Sequence, residues 1–108
     1  MMEDRKINQH FIERLKKRYH VPCNSCVYEY LKAIARRKSK FAKRRKGIPT
    51  VRMYITPDFD KIRKMTRGAF KARSNVIYIV YDIKKDELIT ALPTIHEGIR
   101  YSKFGERQ

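Results

Sequence analysis

The sequence predicts an α+β domain in which two N-terminal helices pack on a three- to four-stranded antiparallel sheet. Three observations carry that expectation. The first half spaces its apolar residues by threes and fours, the second half alternates them by twos, and a hairpin pattern closes the patterned region at 76–93. A chain of 108 residues suits a single domain.

The first helix is expected over residues 3–19. Ile7, Phe11, Ile12, Leu15 and Tyr19 lie along one apolar stripe. Val21-Pro22 should stop it, because the residue before a proline is pushed out of the helical region. A second helix is expected over 24–46, with Val27, Tyr30, Leu31 and Ile34 at the i, i+3, i+4, i+7 spacing and Gly47-Ile48-Pro49 as its stop signal. The sheet should occupy 50–93. Thr50–Thr56 alternates and is rich in β-formers, with Pro57 after it. Residues 58–65 read equally as a short helical turn or a loop, and 68–73 suit a strand. Val76–Tyr81 and Leu88–Leu92 flank a turn at Ile83–Asp86, which makes a hairpin. Residues 94–108 read as a short polar tail.

Charge narrows the function. There are 27 Lys+Arg against 11 Asp+Glu, a formal net charge of +16 and a pI near 10.2. Self-repulsion on that scale destabilises a compact state, and a polyanionic partner relieves it. A membrane surface is the weaker candidate, since the chain has no Trp and no run approaching the ~20 apolar residues of a span. The start, Met1-Met2-Glu3-Asp4-Arg5-Lys6, has no apolar stretch behind it, so a cytoplasmic location is expected. Nucleic acid remains, with RNA ahead of DNA because no groove-reading motif is present.

Two acid-free tracts concentrate the charge. Residues 36–46 hold eight basic side chains in eleven, among them Arg36, Arg37, Lys40, Lys43, Arg44 and Arg45. Like charges one helical turn apart repel, and a row of phosphates would offset that repulsion. The second tract carries Lys61, Arg63, Lys64, Arg67, Lys71 and Arg73, with Tyr54, Phe59 and Phe70 near it. Aromatics among cations suit stacking on unpaired bases, although for each ring taken singly a place in the core is the better reading.

Cys23-Asn24-Ser25-Cys26 admits three readings. With His20 it forms His-x2-Cys-x2-Cys, one ligand short of a zinc site; at a helix start it could be a redox pair; or it is an ordinary helix start capped by Asn24 or Ser25. The last is favoured, so no cofactor and no metal are expected. The acids are too few and scattered for a two-metal nuclease. Metal-free RNA cleavage needs an acid or base near neutrality and cations on the phosphate. His10, Arg14 and Arg18 supply both on one helical face.

The segment His10-Phe-Ile-Glu-Arg14-Leu-Lys-Lys-Arg18-Tyr19 resembles the first helix of small phage and toxin ribonucleases, with the pattern H-x3-R-x3-R-[FY]. The hairpin Tyr78-Ile-Val-Tyr-Asp82, a Lys-rich turn and Leu88-Ile-Thr90-Ala-Leu-Pro93 is similar to their last two strands. Together these resemble the barnase/colicin D/RelE-type metal-independent ribonucleases, whose fold is two helices on a four-stranded antiparallel sheet. The resemblance implies a toxin-like or phage-encoded endoribonuclease acting on mRNA or tRNA, with a ribosome or an antitoxin protein as further partners. By position it implies His10 as acid or base, Arg14 and Arg18 on phosphate, and Thr90 with Tyr78 or Tyr81 lining the site. The same scaffold and charge also suit a protein that binds RNA without cutting it.

Overall fold

Asn8 opens the first element. Its side chain accepts the Phe11 amide at 3.2 Å and caps α1 (Gln9–Tyr19). The computed structural model describes residues 8–41 and 46–93. The part of the first helix expected over 3–7 and the polar tail therefore lie outside the described residues. α1 ends before Val21-Pro22, with His20 in the left-handed conformation donating its amide to the Lys16 carbonyl.

α2 (Ser25–Ser39) starts at Asn24, whose side chain accepts the Val27 amide at 2.9 Å. It stops at Ser39 rather than at 46. Lys40 and Phe41 form a turn, and residues 42–45 lie outside the described residues. Arg36, Arg37, Lys38 and Lys40 crowd this end, where like charges weaken helix continuation. The chain re-enters through Gly47 at φ 83° and reaches β1 (Thr50–Ile55). The ambiguous 58–65 segment is helical. Asp58 caps α3 (Phe59–Thr66), its carboxylate accepting the Asp60 and Lys61 amides.

No strand forms at 68–73. The Arg73 amide donates to the Tyr19 carbonyl at 2.9 Å, and the Phe70 carbonyl accepts the Arg63 guanidinium at 3.1 Å. These backbone groups are satisfied by α1 and α3, so nothing drives them onto a sheet edge. Among the described residues the sheet therefore has three strands in the order β1-β2-β3, with β2 (Ile77–Asp82) in the centre and β3 (Glu87–Leu92) antiparallel to it.

The alternation selects the faces. Val51, Met53 and Ile55 of β1, Ile77, Ile79 and Tyr81 of β2, and Leu88 and Ala91 of β3 are buried with Phe11, Leu15, Tyr19, Val27, Tyr28 and Leu31 in one cluster. A β-bulge interrupts the β2–β3 ladder: Val80 faces Thr90, while the next residue, Tyr81, faces Leu88. One extra residue thus sits on β3, so Ala91 rather than Thr90 shares the face of Leu88. Thr90 and Leu92 are turned to the outer face beside Val80 and Tyr78.

α1 guards the edge of β3 and runs parallel to it. Near its start, the Asn8 amide group donates to the Leu88 and Ile89 carbonyls at 3.1 and 3.2 Å. Near its end, Arg18 Nη1 donates to the Ala91 carbonyl at 2.7 Å and the Tyr19 hydroxyl donates to the Leu92 carbonyl. The edge carbonyls taken by Asn8 and Arg18 are removed as a template for a foreign strand.

Candidate nucleic-acid interface

Two rows of side chains cross the outer face of the sheet. Arg52, Val80 and Thr90 are opposite one another in one row, and Tyr54, Tyr78 and Leu92 in the next. Tyr54 and Tyr78 stack at 4.4 Å between ring centroids with their planes 15° apart. Arg52 is exposed and the others are half-buried. A basic helix stands along one margin of this face, because the row His10, Arg14, Arg18 follows the helix that lies on β3. His10 is exposed; Arg14 and Arg18 are half-buried. The Arg18 guanidinium is partly committed to the Ala91 carbonyl, yet it carries five donors and keeps several for a ligand.

Thr90 and Tyr78 thus share the outer face beside α1, and Tyr81 does not. It is 2% exposed on the core face, with its hydroxyl donating to the Asp86 carboxylate. Strand alternation is the reason, since residues 78 and 81 on one strand must point to opposite faces. Asp86 ties this corner to α2: Arg36 reaches it with Nε to Oδ1 at 3.2 Å and Nη2 to Oδ2 at 2.8 Å, and Lys32 approaches at 3.8 Å. The Arg36 hydrogen bonds hold the Asp86 carboxyl below its usual range, and the Tyr81 hydrogen bond and the Lys32 charge act in the same direction.

Burial, followed by the Asp86 bond and charge, pushes Tyr81 up to about 12, and burial alone is the main cause of the same rise at Tyr28. An unfolded tyrosine ionises near 10, so between about 10 and 12 the unfolded chain has lost protons that the folded one keeps. Stability present below pH 10 is therefore lost as pH rises through this window. The urea midpoint should fall across it, and Tyr81→Phe should flatten the fall. An unchanged slope in the variant would remove Tyr81 from the account.

The basic tracts divide into bound and available cations. Arg36 pairs with Asp86, and Arg63 with Asp60 at 2.7 Å while also lying 4.8 Å over the Phe70 ring. Lys61 lies 5.6 Å over the Tyr30 ring. These three are engaged in contacts within the fold. Arg37, Lys40, Lys64, Arg67 and Lys71 are exposed, and Arg73 is tied to α1 through its amide on the Tyr19 carbonyl. Lys43, Arg44 and Arg45 lie outside the described residues. Phe59 and Phe70 pack against each other edge-on at 6.3 Å and against the core, so they are structural.

No family model matches this chain, and neither the curated proteins nor the solved structures contain a match to it. The site must stand on its own geometry.

Cys23 and Cys26 are free thiols. Burial pushes Cys23 up to about 12, the opposite of an activated nucleophile. Asn24, not a cysteine, does the capping. Among the described residues no group of three or more His, Cys, Asp or Glu side chains is placed to hold a metal ion. No described helix is long and apolar enough to cross a membrane. Arg52 was missed as a site residue at the sequence level. The period-two signal that buries Val51, Met53 and Ile55 places Arg52 and Tyr54 together on the other face.

Proposed function

We propose that the protein binds single-stranded RNA across the outer face of its sheet. The observation that carries this reading is the stacked Tyr54–Tyr78 pair with Arg52 on one side and the Arg14/Arg18 margin of α1 on the other. Rings offer faces to unpaired bases, and flanking cations take the phosphates that join them. The net charge of +16 supplies the long-range attraction.

The test is a salt series with a short single-stranded RNA. For single strands the slope of log affinity against log salt is about −0.7 per phosphate contacted, so a slope steeper than about −2 is expected. A slope near zero would sink the proposal.

Metal-free cleavage is the second reading, and the alignment of α1 with β3 favours it, since His10 stands on the helix beside the strand that carries Thr90. In that chemistry His10 takes the 2′-hydroxyl proton as the 2′-oxygen bonds to phosphorus. The bond to the 5′-oxygen breaks, that oxygen takes a proton from water, and a 2′,3′-cyclic end remains. Arg14 holds the phosphate charge, and the Thr90 hydroxyl donates to a phosphate oxygen. Incubation with total RNA in EDTA should yield 2′,3′-cyclic ends. Intact RNA that is nevertheless bound tightly would leave the binding reading alone standing.

A further inference from the structure

We propose that Phe41, at the end of α2, is a second base-stacking contact for RNA, separate from the sheet. The inference rests on the RNA-binding reading and adds a named residue to it. Phe41 is 88% exposed, while the other phenylalanines of the described residues, Phe11, Phe59 and Phe70, are buried in the core or packed against it. A phenyl ring left in water forgoes the stabilisation that burial would give it. Single exposed apolar residues are ordinary, so its neighbours decide the case. Arg37 and Lys38 stand on the last turn of α2, and Lys40, its C-cap, directly precedes Phe41. A ring set among cations matches a base set among phosphates.

Its place in the fold supports the same partner. Lys38 donates to the Tyr54 carbonyl, which fixes the last turn of α2 against β1 at the residue that carries half of the stacked pair. Phe41 follows one turn later, its amide donating to the Lys38 carbonyl at 3.0 Å. α1 stands along β3, so Phe41 stands at the opposite margin of the sheet. A strand crossing the outer face from Arg14 would pass Tyr78 and Tyr54 and leave over the end of α2. An anionic bilayer is the rival partner for an aromatic among cations. The apolar stripe of α2, with Val27, Tyr28, Leu31 and Ala35, is buried in the core, so α2 itself has no apolar face free to lie in a membrane.

The chain has no Trp, so Phe41→Trp installs a single indole reporter in the full-length protein. Titration with a short oligoadenylate should quench its emission at an affinity close to that of the wild type. Phe41→Ala should weaken binding by about tenfold or more, the effect of removing one stacking ring, with an unchanged salt slope because no charge is removed. Wild-type affinity in Phe41→Ala together with an unquenched indole overturns the proposal and leaves RNA binding intact. Failure of the wild type to bind oligoadenylate overturns both. A blue shift on phosphatidylserine vesicles without quenching by RNA overturns it in favour of a lipid surface.

Discussion

Removing the hydroxyl of Tyr19 or of Tyr28 should each lower the unfolding free energy by about 1–3 kcal/mol, the cost of leaving a buried amide unsatisfied. Both rings are essentially buried, at 1% exposure, and each hydroxyl is built into the sheet. The Tyr78 amide donates to the Tyr19 hydroxyl at 3.1 Å, and that hydroxyl donates on to the Leu92 carbonyl, bridging the end of the β2–β3 ladder. The Leu88 amide donates to the Tyr28 hydroxyl at 3.1 Å, beside the bulge. Leu88 and Leu92 are four residues apart, roughly 13 Å along a strand, so the two losses should add. The double variant Tyr19→Phe/Tyr28→Phe would then approach the limit of a domain whose total stability is about 5–15 kcal/mol. Urea unfolding of the four proteins checks this. A double variant no less stable than either single one would show that the hydroxyls act as one unit.

On the cleavage reading, His10→Ala should slow RNA cutting by roughly 100- to 10,000-fold, the usual contribution of a positioned acid or base. His10 is exposed near the start of α1 and, unlike Phe11, contributes nothing to the core, so fold and affinity should survive. Arg14→Ala should behave differently, weakening binding and shortening the salt slope by about 0.7, one phosphate's worth. Gel analysis of end chemistry, run beside a binding titration, separates the two effects. Equal cleavage by wild type and His10→Ala removes the histidine from the chemistry, and equal binding by all three removes Arg14 from the interface.

Much of this arrangement was legible in the residues. Periodicity marks both helices, the hairpin and the buried face of β1, because burial of one side is what the spacing encodes. The end of α2 was not legible, since charge repulsion and a following glycine leave several stopping points open. The strand expected at 68–73 was lost to partners distant in sequence: the Tyr19 carbonyl and the Arg63 guanidinium take its backbone groups. Likewise, no acid lies near Arg36 in sequence, and its counterion proves to be Asp86, fifty residues on. As for the candidate site, His10, Arg14 and Arg18 all fall within α1 at four-residue spacing. Their placement along β3 required Asn8 and Tyr19 to find strand carbonyls some eighty and seventy residues away. Tyr81 and Tyr78 are not equivalent, because three positions along a strand reverse the face.

The bulge on β3 gives the outer face an unusual vulnerability. Thr90 and Leu92 point outward because Leu88 and Ile89 together oppose a single step on β2. What lines that face is therefore governed by a count of residues and not only by their identities. Conservative exchanges there would leave its character intact, and loss of the Ile89 codon would only straighten the ladder with Thr90 still opposite Val80, whereas loss of the Ala91 codon would bring Leu92 opposite Ile79 and turn it toward the core. Among the descendants of this sequence, a deletion at the bulge itself is the tolerated one, and a deletion further along β3 is the one that exchanges the faces.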